Sequence, residues 1–389
     1  MNAPLIPQAN PGAAFRSRRD ALLKAAADVL DGGWYINGKQ VRQFEESFAA
    51  FCSVKHAVGV GNGTDAIEVA LRALGIGKGG LVFTVSHTAV ATVAAIECAG
   101  ATPVLVDVDP VTYTMSPESL AKALEAARAG RYPGKPAAVL PVHLFGQMCP
   151  LEEIKDELAS RNIALVEDCA QAIGAHRMIG GRVARSGSVG KMGCFSFFPT
   201  KNLGCYGDGG MVAIADDEEL AARIRRLRVH GAGTTYFHDE VGINSRLDAL
   251  QAAILRVRLR HLEGWNEERR IVAGRYMMLF GEKGLLDFIT PPAELPGGRH
   301  VYHQYVVRAK HRDELMKYLA ERGITTRVYY PLPLHLQHCF ANLGYKKGDF
   351  PVAEALADDV LALPMFPELL PEEQERIVSE IAGFYAKHA

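Results

Sequence analysis

Residues 193–210 read Gly-Cys-Phe-Ser-Phe-Phe-Pro-Thr-Lys-Asn-Leu-Gly-Cys-Tyr-Gly-Asp-Gly-Gly, and they set Lys201 in surroundings where a lysine seldom sits. Cys194 to Phe198 form an apolar, aromatic run of strand length, which Pro199 breaks. Gly204, Gly207, Gly209 and Gly210 then let the backbone turn tightly. An ammonium held there is partly desolvated, which lowers its pKa and makes the amine a usable nucleophile toward an aldehyde. A solvated loop lysine is the competing reading of this stretch taken alone.

Outward from it, strands alternate with helices. Ala57–Val60 is a short buried strand running into Gly61-Asn62-Gly63-Thr64-Asp65-Ala66, after which Ile67, Ala70, Leu71 and Leu74 recur at helical spacing. A strand, a glycine turn and a helix N-terminus make an anion site, because free N–H groups and the positive dipole end converge there. Further strands are expected at 81–85, 101–106, 137–142, 163–166 and 211–214, with a small-residue helix at 88–99. The pattern predicts an α/β fold with a mostly parallel central sheet flanked by helices. Such sheets hold ligands beyond the carboxyl ends of their strands. Thr64, His87, His143, Asp168 and Lys201 all fall at those ends or in the loops after them. That convergence favours a functional Lys201.

The 61–66 segment also fits the dinucleotide fingerprint G-x-G-x-x-A, which raises a nicotinamide-dependent oxidoreductase as a rival. The acidic residue expected about 20 positions on is replaced by Ser86-His87-Thr88, so a monophosphate suits the turn better. Pyridoxal phosphate uses the whole set: a lysine for its aldehyde, a helix N-terminus for its phosphate, and a carboxylate, here Asp168, for its ring nitrogen.

Composition bounds the rest. The chain has 389 residues, 48% hydrophobic and 22% charged, enough for two domains, expected as a large unit at 1–255 with an N-terminal arm and a smaller α+β unit at 256–389. Its 43 basic and 44 acidic residues are mixed along the chain, which argues against a nucleic-acid partner. The longest apolar stretch, 89–106, contains Glu97, Gly100 and Pro103, so neither a membrane span nor a signal peptide is expected. Seven scattered cysteines without a C-x-x-C pair suit free thiols in a reducing cytoplasm. His300 with His303, and His335 with His338, have metal-compatible spacing, but the chain has no H-E-x-x-H, so no metal is expected.

Five stretches together resemble the DegT/DnrJ/EryC1/StrS sugar aminotransferases: Gly61-Asn-Gly-Thr-Asp-Ala66, Leu140-Pro-Val-His-Leu-Phe-Gly-Gln147, Val166-Glu-Asp-Cys-Ala-Gln-Ala172, Phe195-Ser-Phe-Phe-Pro-Thr-Lys-Asn-Leu-Gly204 and Asn244-Ser-Arg-Leu-Asp-Ala-Leu-Gln-Ala-Ala253. The resemblance runs from about Gly32 onward and implies a fold-type I pyridoxal-phosphate enzyme. It implies that Lys201 carries the cofactor, Asp168 holds the ring nitrogen and Gln171 the ring hydroxyl, while Gly63, Thr64, Asp65 and Ser196 surround the phosphate. Asn244 would reach the phosphate of a neighbouring subunit, so a homodimer with shared sites follows from the resemblance. A dehydratase relative carries histidine at the position of Lys201, so lysine favours transamination.

The implied substrates are a nucleotide-linked keto-sugar and an amino donor, with glutamate expected. The stretches at 142–147 and 244–248 lean toward position 3 of a dTDP-linked 3-keto-6-deoxyhexose, with position 4 of a 4-keto sugar as the alternative. A non-catalytic sensor on the same fold is a further alternative, against which the intact site residues argue. His143, His230, Tyr236, Tyr330 and His335 are candidates for the sugar side. Ala89 stands where many members stack an aromatic ring on the cofactor, and His87 is the expected replacement for that flat face.

Overall fold

A computed structural model describes residues 4–234 and 236–388. Fifteen strands are found among them: β1 His56–Val60, β2 Gly80–Val85, β3 Thr102–Val106, β4 Lys135–Val139, β5 Ala164–Asp168, β6 His176–Ile179, β7 Arg182–Arg185, β8 Met192–Ser196, β9 Gly210–Ile214, β10 Ala232–Thr234, β11 Phe237–His238, β12 Ile289–Thr290, β13 Gly298–Arg299, β14 Tyr305–Ala309 and β15 Val360–Leu363. Seven make the central sheet in the order β1-β9-β8-β5-β4-β2-β3. The pairs β2·β3, β2·β4, β4·β5 and β5·β8 are parallel, whereas β9 runs antiparallel to both neighbours. The expected mainly parallel α/β architecture is therefore present.

Alternation along β8 decides which way each side chain faces. Phe195 and Phe197 are fully buried and pack with Phe44 and Phe48, the Phe48–Phe195 rings meeting edge to face at 4.9 Å. Ser196, between them, faces the opposite way and lines a cleft. Register does the rest: Gly210 of β9 pairs with Val60 on one side and Ser196 on the other. A Cβ on Gly210 would run into the Asn62 carbonyl, so glycine is what lets the 61–64 turn settle beside Ser196.

The second sheet, β12-β14-β15, is antiparallel and packs with the helices Arg312–Ala320 and Pro371–Tyr385 around Tyr276, Tyr305 and Ile377. The division expected at 255/256 falls inside the helix Ala249–Leu259.

The N-terminal arm is not loose: Ile6 is 1% exposed and pairs with Ile324, its N–H donating to Gly323 O at 2.8 Å. The stretch 324–328 forms two isolated bridges and no strand, because Ile324 takes the arm as partner while Arg327 takes Ala362. The β6–β7 hairpin turns at the adjacent Gly180 and Gly181, at φ +57° and +76°.

Candidate active site

The parallel strands end along one edge of the central sheet, at a cleft of about 580 Å³ lined by Asn62, Gly63, Thr64, Asp65, Thr88, Ala89, Thr92, Val142, Asp168, Ala170, Gln171, Ser196, Phe198, Lys201 and Asp208. At one end of it, Asn62 caps the helix Gly63–Ala73 by accepting from Asp65 N at 2.9 Å. The first helical hydrogen bond runs from Ala66 N to Asn62 O, which leaves the Gly63 and Thr64 N–H groups outside the ladder and on the cleft wall. Asp65 is fastened elsewhere: Ser245 Oγ donates to its Oδ2 at 2.6 Å and accepts from Gly61 N at 2.8 Å. That carboxylate holds the helix start to the 244–248 segment.

Lys201 closes a turn, its own backbone N–H donating to Phe198 O at 2.8 Å. Burial pulls its amine down to about 8, although the nearby Asp168 charge acts the other way. No hydrogen bond or ion pair among the described residues engages that amine. Asp168 ends β5 and is 4% exposed. Burial raises its pKa, opposed by hydrogen bonds from Ala170 N and Thr92 Oγ1 and by the Lys201 charge. Gln171 reaches the cleft with its oxygen accepting from Phe145 N at 2.8 Å and its nitrogen donating to Tyr330 Oη at 2.6 Å.

Several predicted residues lie elsewhere. His143 is fully buried below the strand ends: its Nδ1 accepts from Cys149 N, so Nε2 carries the proton and donates to Glu167 at 2.9 Å. Glu167 also accepts from Gly187, Val189 and Gly190 N–H groups, which saturates it. With Cys169 this pair is the one group among the described residues that brings three possible metal-ligand atoms within 4.8 Å, but its hydrogen bonds already occupy the oxygens. His335 bridges Ser86 Oγ at 2.7 Å and Glu354 Oε1 at 2.9 Å, and is likewise buried. His87 is 0% exposed and off the cleft lining, its ring edge-on to Phe145 and Tyr330 with both nitrogens unpartnered. His230, Tyr236 and Asn244 are exposed and outside this cleft, Tyr236 at 91% on the loop between β10 and β11. Thr92 escaped the sequence reading because it sits in a helix of small apolar residues whose burial looked like packing alone.

Burial of Asp168 and Lys201 leaves each in a state that a specific guest would use. A protonated ring nitrogen would restore a charge partner to Asp168, and an aldehyde would consume the neutral amine. With the open helix N-terminus beside Ser196 for a phosphate, these residues fit pyridoxal phosphate, and the fold and site define a pyridoxal-phosphate-dependent transferase.

Sequence comparison narrows the class. Residues 17–382 match the DegT/DnrJ/EryC1/StrS aminotransferase family, and the chain belongs to it. That family is pyridoxal-phosphate-dependent, and membership removes the nicotinamide-dependent oxidoreductase from consideration. A pleiotropic regulatory protein of Geobacillus stearothermophilus is 44% identical over 389 residues, covering 100% of both chains. A dTDP-3-amino-3,4,6-trideoxy-alpha-D-glucose transaminase of Streptomyces venezuelae is 42% identical, over 97% of this chain and 96% of its own. The crystal structure of S. venezuelae DesV in complex with a ketimine intermediate superposes with a TM-score of 0.91 at 40% identity, over 98% of this chain and 99% of that one. The chain is thus a sugar aminotransferase by family and fold. No helix among the described residues is long and apolar enough to cross a membrane.

Proposed function

We propose that this enzyme transfers an amino group from glutamate to position 3 of a dTDP-linked 3-keto-6-deoxyhexose, as a cytoplasmic homodimer whose subunits share sites. The observation that carries the chemistry is the pairing of a Lys201 amine held near pKa 8 with a buried Asp168 in one cleft. The 42%-identical transaminase supports the position and the nucleotide by its name alone.

When bound, pyridoxal phosphate supplies the electron sink that makes the hydrogen on the amino-bearing carbon acidic. The chain's residues do the remaining work. Gly63 and Thr64 N–H groups with Ser196 would anchor the phosphate; Asp168, kept in place by Thr92 and Ala170, would hold the ring nitrogen protonated. Lys201, whose amine burial brings down to about 8, would move the proton between the two carbons. Exposed Tyr236, His230 and Asn244 are assigned to the site of a second copy, where Asn244 would reach the phosphate as the resemblance implies.

Purified protein loaded with pyridoxal phosphate is assayed with glutamate against dTDP-3-keto and dTDP-4-keto hexoses side by side. Turnover of the 3-keto sugar supports the proposal, and exclusive turnover of the 4-keto sugar moves the chemistry to position 4. The 44%-identical regulatory relative keeps a sensor in view. A cofactor spectrum unmoved by every amino donor would replace the enzyme with that sensor.

A further inference from the structure

Gln171 is clamped from two sides by aromatic residues whose own backbones are in the left-handed region, Phe145 at φ +57° and Tyr330 at φ +61°. Neither is glycine or asparagine, so each conformation is held by its surroundings rather than by preference. The two rings are nearly parallel, 9° apart in plane with centroids 6.3 Å apart, and His87 stands edge-on to both. Phe145 presents its backbone N–H to Gln171, and Tyr330, 159 residues further along the chain, presents its hydroxyl.

The chemistry of those contacts fixes the amide. A backbone N–H can only donate, so Phe145 selects the Gln171 oxygen, and the amide nitrogen must lie on the Tyr330 side. One of its two hydrogens goes to Tyr330 Oη at 2.6 Å. The other is left for the cleft that Gln171 lines. Burial keeps the Tyr330 hydroxyl protonated through the physiological range, so this contact does not switch off with pH.

We propose that Tyr330 is a positioning residue for the cofactor rather than for the sugar: acting through Gln171, it aims the second amide N–H at the cofactor's ring oxygen. This rests on the pyridoxal-phosphate reading of the cleft and goes beyond it, since a contact from the C-terminal part of the chain then tunes the cofactor's protonation. The sign follows from electrostatics. An N–H donor stabilises negative charge on the ring oxygen; without it that oxygen holds the neighbouring proton more tightly, and the proton leaves at higher pH.

The test is a spectrophotometric pH titration of the bound cofactor in wild type, Tyr330→Phe, Gln171→Ala and the double variant. Tyr330→Phe is expected to raise the midpoint of the colour change by about one unit, a tenfold change in proton affinity. Gln171→Ala should raise it at least as far, and Tyr330→Phe should add nothing in the Gln171→Ala background. A Tyr330 effect of full size without Gln171 would overturn the inference, as would an unmoved midpoint accompanied by a raised sugar KM. Both of those outcomes leave the cofactor reading standing. A wild-type protein that takes up no cofactor would overturn the reading and the inference together.

Discussion

Thr92 Oγ1 donates a 2.9 Å hydrogen bond to Asp168 Oδ2, joining the helix Val90–Cys98 to the last residue of β5 across the floor of the cleft. The Asp168 carboxylate is buried and its pKa is raised by that burial, so each donor it keeps favours the charged form that a protonated ring nitrogen needs.

Thr92→Val therefore weakens cofactor binding. Losing one donor to a buried charged acceptor is worth about 1.4 kcal/mol, or tenfold. Titrating the amine form of the cofactor, which cannot bond covalently to Lys201, measures this, with Thr92→Ser as the variant that retains affinity. Equal affinity in Thr92→Val and wild type would show that Asp168 needs no help from the helix.

Lys201 labels as an unusually acidic lysine. Burial brings its pKa from 10.5 to about 8, so the reactive neutral fraction in cofactor-free protein climbs through about pH 8. Rates of acylation at Lys201, followed by peptide mass spectrometry from pH 6 to 11, should level off near pH 9. A rate still climbing beyond pH 10 would remove the desolvation on which the nucleophile argument stands.

His87 contributes to the acid limb of stability. Its pKa is lowered by burial from 6.5 to about 4, so the unfolded chain takes up a proton that the folded one refuses between those values. The contribution is fully present above pH 6.5 and is lost as pH falls through 4. Across that window wild type should lose up to about 3 kcal/mol more than His87→Phe in urea unfolding. Because His87 lies off the cleft lining, the same variant should bind the amine form of the cofactor as wild type does. A tenfold loss of that affinity would restore His87 to the ring face.

Ala89, by contrast, is on the cleft wall and leaves room there. Ala89→Tyr should stack on the ring and tighten amine-form binding by several-fold, the equivalent of about 1 kcal/mol. Weaker binding would mean that another group already covers that face.

His143→Leu separates a structural role from a sugar-binding one. It leaves the buried Glu167 short of a donor and Cys149 N–H without its acceptor, at a cost of about 2 kcal/mol in unfolding free energy. The sugar KM of the folded fraction should not move. A raised KM with unchanged stability would return His143 to the substrate side.

Local chemistry alone carried the strand-and-helix alternation, the glycine turn at 61–64 before a helix, and the placement of Asp168 at a strand end and of Lys201 in the loop after one. Those properties depend on neighbours a few residues away, where periodicity and turn chemistry act. What packs over a side chain depends on residues far along the chain, and only the tertiary structure decided it. His143 lies under Glu167, 24 residues on, and His335 is sealed between Ser86 and Glu354, with 249 residues separating it from Ser86. Both histidines look free to meet a sugar until those partners are in place. Thr92 looks like packing until β5 delivers Asp168 within 2.9 Å, because a hydrogen bond joins whatever folding brings within reach, at any sequence separation.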